Sequence, residues 1–227
     1  DFDKAENLLQ AAKELDPEGL DRKYWAILAL HRSGLEDSLE TLSDADDIDS
    51  ICVRVSLLLQ KSSIYEAKSL LEQLQVETSN NAEVFRLQAL LHLEFRDLQK
   101  ARETINQAKQ IASNWESIQI ADAVISYFSA LSPAVFSRTT TLWPEPIELD
   151  LIKSSSEAIH ALDYAAEIFR KVYQNEYSGA SYRLSLKLWY AACLACNFRR
   201  QKEAENFFSS LLTDFPTDHR IISWVFY

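Results

Sequence analysis

The stretch Ala5-Glu6-Asn7-Leu8-Leu9-Gln10-Ala11-Ala12-Lys13-Glu14-Leu15-Asp16-Pro17 sets small and apolar side chains at helical spacing and then stops at Asp-Pro. Apolar residues recurring every three to four positions build one face of a helix, and a proline ends it by removing a donor and restricting the residue before it. The pattern returns as Ala67, Leu71 and Leu74, as Ala101, Ile105 and Ala108, and as Ala204, Phe208 and Leu211 ahead of Asp214-Phe215-Pro216. A weaker copy has Ser38, Leu42 and Ala45. Aligned on the first small residue, the copies begin at Ala5, Ser38, Ala67, Ala101 and Ala204, with gaps of 33, 29, 34 and 103 residues.

Each later copy is preceded, twelve positions earlier, by another small residue: Ala26 before Ser38, Val55 before Ala67, Ala89 before Ala101 and Ala192 before Ala204. Two helices that cross closely need small side chains at the crossing, and a constant separation keeps the crossing constant. The chain therefore reads as repeated antiparallel helix pairs. The spacing predicts helices near 2–15, 20–32, 35–43, 48–60, 64–76, 81–95, 98–112, 114–130, 148–175, 180–197, 201–213 and 218–226. Ser or Asn three residues before Glu marks several starts: Ser33 with Glu36, Ser63 with Glu66, Asn80 with Glu83, Ser113 with Glu116 and Ser154 with Glu157.

Composition agrees. The 227 residues include 3 glycines and 5 prolines, too few for hairpin-rich sheets, glycine-lined phosphate loops or low-complexity linkers. The formal net charge of −11 repels a nucleic-acid backbone or an anionic lipid surface. The charge is uneven. Residues 1–150 hold 14 basic against 26 acidic side chains, and residues 151–227 hold 9 against 8, so a basic partner would favour the N-terminal part. Three cysteines, an odd number, point to free thiols in a reducing compartment and hence to the cytoplasm. No apolar run is long enough to span a bilayer, and no basic-then-apolar leader opens the chain. A chain that begins at Asp1 and contains no Met reads as a piece of a longer protein.

With four copies in one frame, the sequence resembles the tetratricopeptide repeat family, whose unit is a 34-residue helix-turn-helix with small residues at its eighth, twentieth and twenty-seventh positions and a proline near its thirty-second. Pro17 and Pro216 fall on that proline position, where Ser79 and Ser113 stand in the middle copies. The resemblance implies an all-α solenoid of antiparallel helix pairs, a right-handed superhelix. Residues 1–113 form the first helix pairs. Residues 114–180 form one enlarged, irregular repeat with a proline-rich loop at 132–147, and residues 181–227 form a last pair and the start of a further helix. The gap of 29 implies a shortened connection around Asp44 to Asp49.

In such a stack the first helix of each pair lines a concave groove. Carried over by position, the groove residues are Lys23, Ile27, Leu30 and His31, then Cys52, Ser56, Leu59 and Gln60, then Arg86, Leu90, Leu93 and Glu94, and finally Trp189, Cys193, Cys196 and Asn197. The family's carboxylate clamp is missing, because Ile27 and Ser56 stand where Asn is expected. The expected job is therefore a non-catalytic scaffold that holds a protein or peptide segment, with Lys23, Ile27, Arg86, Leu90, Leu93, Glu94, Trp143 and Trp189 as partner-binding candidates. Trp143 enters because it lies beside prolines in the long loop. The apolar end, Ile221-Ile222-Ser223-Trp224-Val225-Phe226-Tyr227, suggests a second copy of the chain as a further partner. The alternative is a helical regulatory or sensor module that responds to a small ligand or peptide.

Catalysis finds no support in the residue pattern, and no cofactor or metal is expected. His31, His92, His160 and His219 are far apart in sequence. Cys193 and Cys196 lack the second ligand pair that zinc requires. The run Asp44, Asp46, Asp47 and Asp49 lacks the glycine and bidentate Glu of a calcium loop. No phosphate-binding glycine loop or Gly-flanked nucleophilic Ser appears.

Overall fold

A computed structural model describes residues 6–11, 24–27, 29, 34–44, 46–75, 80–137, 144, 152, 155–174 and 180–226. The chain divides into two compact units, Asp1–Leu91 and His92–Tyr227. The described residues are helical apart from turns and one isolated antiparallel bridge between Leu131 and Ile152. None of the described helices is long and apolar enough to cross a membrane.

The first unit holds α1 (Leu35–Thr41), α2 (Ile48–Gln60), α3 (Ile64–Gln75) and most of α4 (Ala82–Glu94). Its core joins Cys52, Val55 and Leu58 of α2 to Ala67, Leu71 and Leu74 of α3 and to Val84, Leu87 and Leu91 of α4. These positions repeat every three to four residues on each helix, so burying one stripe per helix closes the core. A smaller cluster gathers Ala26, Leu42 and Leu57. The expected small-residue crossings are dry: Ala26, Ser38, Val55 and Ala67 are all fully buried. The hydroxyl of Ser38 donates to the Ala26 carbonyl at 2.7 Å, which explains how a polar residue occupies an alanine position.

The second unit holds α5 (Leu98–Ala112), α6 (Glu116–Ala130), the single turn α7 (Pro133–Phe136), α8 (Ser156–Tyr173), α9 (Ala180–Cys196), α10 (Gln201–Asp214) and α11 (His219–Phe226). Here α8 packs along both α6 and α9, while α5 packs on α6, α9 on α10, and α10 on α11. Helices α6 and α9 are buried on most of their circumference, which is why their apolar residues run almost without interruption. At their centre Trp189 stacks on Phe169 at 5.4 Å between ring centroids and meets Tyr127 edge-on at 5.3 Å.

Where the described residues allow comparison, observed boundaries match the predicted ones closely, with four informative differences; the helices expected near 2–15 and 20–32 lie largely outside the described residues. The long helix begins at Ser156 and not at 148, because the Ser155 side chain accepts from the Ala158 N–H and starts it there. Ser113 ends α5 where it was expected to start α6, and Asn81, one place later than expected, accepts from the N–H groups of Glu83 and Val84. Within 132–147, expected to be loop, Ser132 caps the turn α7, and Val135 and Phe136 are buried.

With so few glycines, two helices end on left-handed residues that carry a side chain. Ser62 and Arg96 both sit at φ 63°. The N–H of Ser63 closes back on the Leu58 carbonyl at 2.8 Å, and that of Asp97 on the His92 carbonyl at 2.9 Å, the wrap that satisfies a helix C-terminus.

Candidate partner-binding surfaces

In the first unit, two of the expected groove residues meet, one on α2 and one on α4. Arg86 of α4 reaches the Ser56 hydroxyl of α2 at 3.3 Å, and that hydroxyl donates to the Cys52 carbonyl at 3.1 Å. The guanidinium is also held by both oxygens of Glu83, at 2.5 and 2.8 Å. Its side chain is only 14% exposed, so it links helices rather than presenting an open cation. Ile27 is 43% exposed, and Leu90 and Glu94 are half-buried. Burial raises the Glu94 carboxyl above its ordinary range, against the opposing pull of Arg96.

Two of the candidates are core residues. Leu93 is fully buried and Trp189 nearly so, with the indole enclosed by Phe169, Tyr127 and Phe128. Neither offers a partner a contact face. For Trp189 the reason is tertiary: α9 is wrapped by neighbouring helices, so a position that would face solvent in a regular stack faces aromatic rings. Lys23 and Trp143 lie outside the described residues.

A hollow of about 320 Å³ opens on the first unit, lined by Glu36, Leu39, Glu40, Arg54, Leu58, Lys61 and Glu66. Its two cations are engaged. Lys61 meets Glu36 at 2.8 Å, and Arg54 meets Glu66 at 3.2 Å while also donating to the Ser43 carbonyl at 2.8 Å. Glu40 is exposed at the rim. Asp47, from the neighbouring acidic run, accepts from the Ser50 N–H at 2.8 Å and so caps α2. Through Leu91 the chain carries 9 basic and 18 acidic side chains, so the field around this hollow favours cations.

The thiols are poor nucleophiles. Burial pushes Cys52 up to about 12, with Glu83 adding to the effect, and pushes Cys196 up to about 12. Cys193 is also raised well above the ordinary thiol range, first through burial and then through Cys196 beside it. At neutral pH all three are thiols, which neither attack nor bind metal readily.

Several polar residues take roles that the sequence does not announce, among them Asn197, expected to line the groove. Asp122, on the otherwise apolar α6, accepts from Lys109 and from the Tyr164 hydroxyl, both at 2.6 Å, and so ties α5, α6 and α8 together. Burial and this carboxylate hold the Tyr164 phenol above its usual range. Asn197, also buried, donates to Asp163 at 2.9 Å, and Tyr190 donates to Glu203, itself held by Arg200. A charged residue inside an apolar helix is the one clue that could have singled out Asp122. Trp224 donates its indole N–H to the Pro144 carbonyl at 3.1 Å across 80 residues, a pairing that no local pattern announces. No protein-family model matches this chain, and no curated protein matches it either.

Proposed function

We propose that the chain is a non-catalytic interaction scaffold built of tetratricopeptide-like helix pairs, and that its first unit receives a basic segment of a partner protein. The observation that carries this reading is the buried small-residue spacing. Val55 and Ala67, and Ala192 and Ala204, keep the same twelve-residue separation and are all buried, as a repeated crossing requires. The Arg86 to Ser56 contact, spanning 30 residues, adds support by joining expected groove residues of successive pairs. Repeated pairs of this kind offer extended surface rather than convergent acid–base chemistry. The carboxylates of Glu36, Glu40 and Glu66, the apolar floor of Leu39 and Leu58 and the local excess of acid favour lysine- or arginine-bearing segments.

The test is fluorescence anisotropy with labelled peptides that alternate Lys or Arg with Leu. Binding should weaken steeply with salt, and Glu40→Lys should lower affinity about tenfold without changing the melting temperature, since Glu40 is exposed. An unchanged affinity in Glu40→Lys would remove this surface from the proposal. Stabilisation by a small metabolite with no peptide bound would favour the sensor reading instead.

A further inference from the structure

We propose that the turn between α9 and α10 docks an acidic segment of a partner protein, and that Phe198, Arg199 and Lys202 receive it. All three lie within the second unit, so this surface and the acidic hollow can fail independently.

The turn is fixed from the inside. Asn197, directly after α9, is 1% exposed, and both ends of its amide are used: Nδ2 donates to Asp163 of α8 at 2.9 Å, while Oδ1 accepts from the Arg199 N–H at 3.1 Å. Its carbonyl accepts from the Arg200 N–H at 2.8 Å. A buried amide bonded in this way holds the backbone around it in one arrangement. Arg200 closes back onto the protein, donating to both oxygens of Glu203 at 2.8 Å and lying 3.5 Å from Asp163. Glu203 also accepts from the Tyr190 hydroxyl at 2.9 Å. These two carboxylates are thus committed to internal partners.

Phe198 and Arg199 are left outside. Phe198 is 56% exposed, Arg199 is exposed, and the guanidinium lies 5.6 Å from the centre of the ring. Lys202, in the first turn of α10, is exposed as well. Among the described residues neither Arg199 nor Lys202 forms an ion pair, even though Glu205 stands three places beyond Lys202. Helix α10 starts here without a side-chain cap, so the positive end of its dipole adds to the same field. Two unpaired cations in a chain of net charge −11 complement carboxylates. The ring decides what else the occupant carries. A guanidinium resting on an aromatic face is held in place and keeps its fork of donors for a carboxylate, and Arg beside an aromatic ring is the composition of an interface hot spot. The fitting occupant sets an apolar side chain on Phe198 and acidic ones against Arg199 and Lys202.

The experiment titrates a fluorescein-labelled peptide that alternates Glu with Leu against the whole chain, by anisotropy at low salt. Arg199→Ala should weaken binding at least about tenfold, and Phe198→Ala and Lys202→Ala should each weaken it too. Arg199→Lys, which keeps the charge but loses the fork and the ring contact, should recover only part of the loss. These side chains are exposed, so the melting temperature should not move. Arg102→Ala removes the same charge from an exposed site on α5 and should leave binding unchanged, and Glu40→Lys in the acidic hollow should not weaken it. Parent binding weaker than about 1 mM, equal losses in Arg199→Ala and Arg102→Ala, or full recovery by Arg199→Lys overturns the proposal. Tighter binding of a labelled single-stranded oligonucleotide, or parent dimers that Arg199→Ala dissolves, overturns it in favour of a nucleic acid or of a second copy's acidic face.

Discussion

Ser62 and Arg96 occupy the same left-handed conformation at the same place, the C-terminal wrap of a helix, yet substitution should separate them. A side chain at positive φ costs on the order of 1 kcal/mol that glycine does not incur. Ser62 is exposed, so Ser62→Gly should raise stability by about 0.5–1 kcal/mol, read as an upward shift in the urea midpoint. Arg96→Gly gains the same relief but loses the contact with Phe136 and the bond from Nη1 to the Leu93 carbonyl, and should come out neutral or destabilised. Buried small residues make a harsher test of the repeat register. Ala101 is fully buried, so Ala101→Glu should cost roughly 3 kcal/mol or more, because a carboxylate would be enclosed without a partner. A melting temperature equal to the parent's would show that the crossing is not where the twelve-residue spacing puts it. Ser38→Ala should cost about 1 kcal/mol by leaving the Ala26 carbonyl without its donor, which thermal unfolding can resolve.

At the scale of elements, α7 and the residues beside it belong to the packed structure although their composition reads as loop. Phe136 is 6% exposed and rests on Phe128. Phe136→Ala should therefore cost about 3 kcal/mol by leaving a cavity against α6, and deleting 134–145 should do more than shorten a connection. The measurement is the cooperativity of melting: if the deletion melts like the parent, Phe136 contributes little and α7 is only an ornament of the surface. The polar ties obey the same logic. Asp122 holds α5 through Lys109 and α8 through Tyr164, so Asp122→Ala strands two donors at once and should cost more than the loss of either partner alone. Double-mutant cycles with Tyr164→Phe would show the coupling.

For the molecule as a whole, charge is the main distinguishing property, and its pH dependence can be signed. Burial lowers the His92 imidazole below its ordinary 6.5, against Asp97, which pulls the other way. The unfolded chain then takes up this proton before the folded one does. Stability falls as pH drops below 6.5, and the fall ends once pH passes below the folded-state value. His92→Gln should flatten the part of a melting-temperature profile that lies below pH 6.5. Asp218 works in the opposite sense. Its carboxylate is held down to about 2 by Arg220, whose guanidinium donates to both oxygens at 3.0 and 2.6 Å. Its contribution is present above 3.8 and is lost as pH falls through about 2, so Asp218→Asn should destabilise at neutral pH and have little effect near pH 2.

The helix pairs were legible in the sequence because their cause is local. Helical period, small residues twelve apart and proline stops each act within a few turns, and they placed α2, α3, α4, α5, α9 and α10 to within about two residues. The uneven charge was equally readable, since side-chain type alone sets it. The surroundings of a given face were not. Ile27 and Cys193 hold equivalent groove positions, yet one is exposed and the other buried, because burial depends on what other helices bring from elsewhere in the chain. The Trp224 to Pro144 bond and the Asp122 junction share this origin. They join residues whose separation in sequence carries no information about their distance, and only the folded backbone brings donor and acceptor within reach.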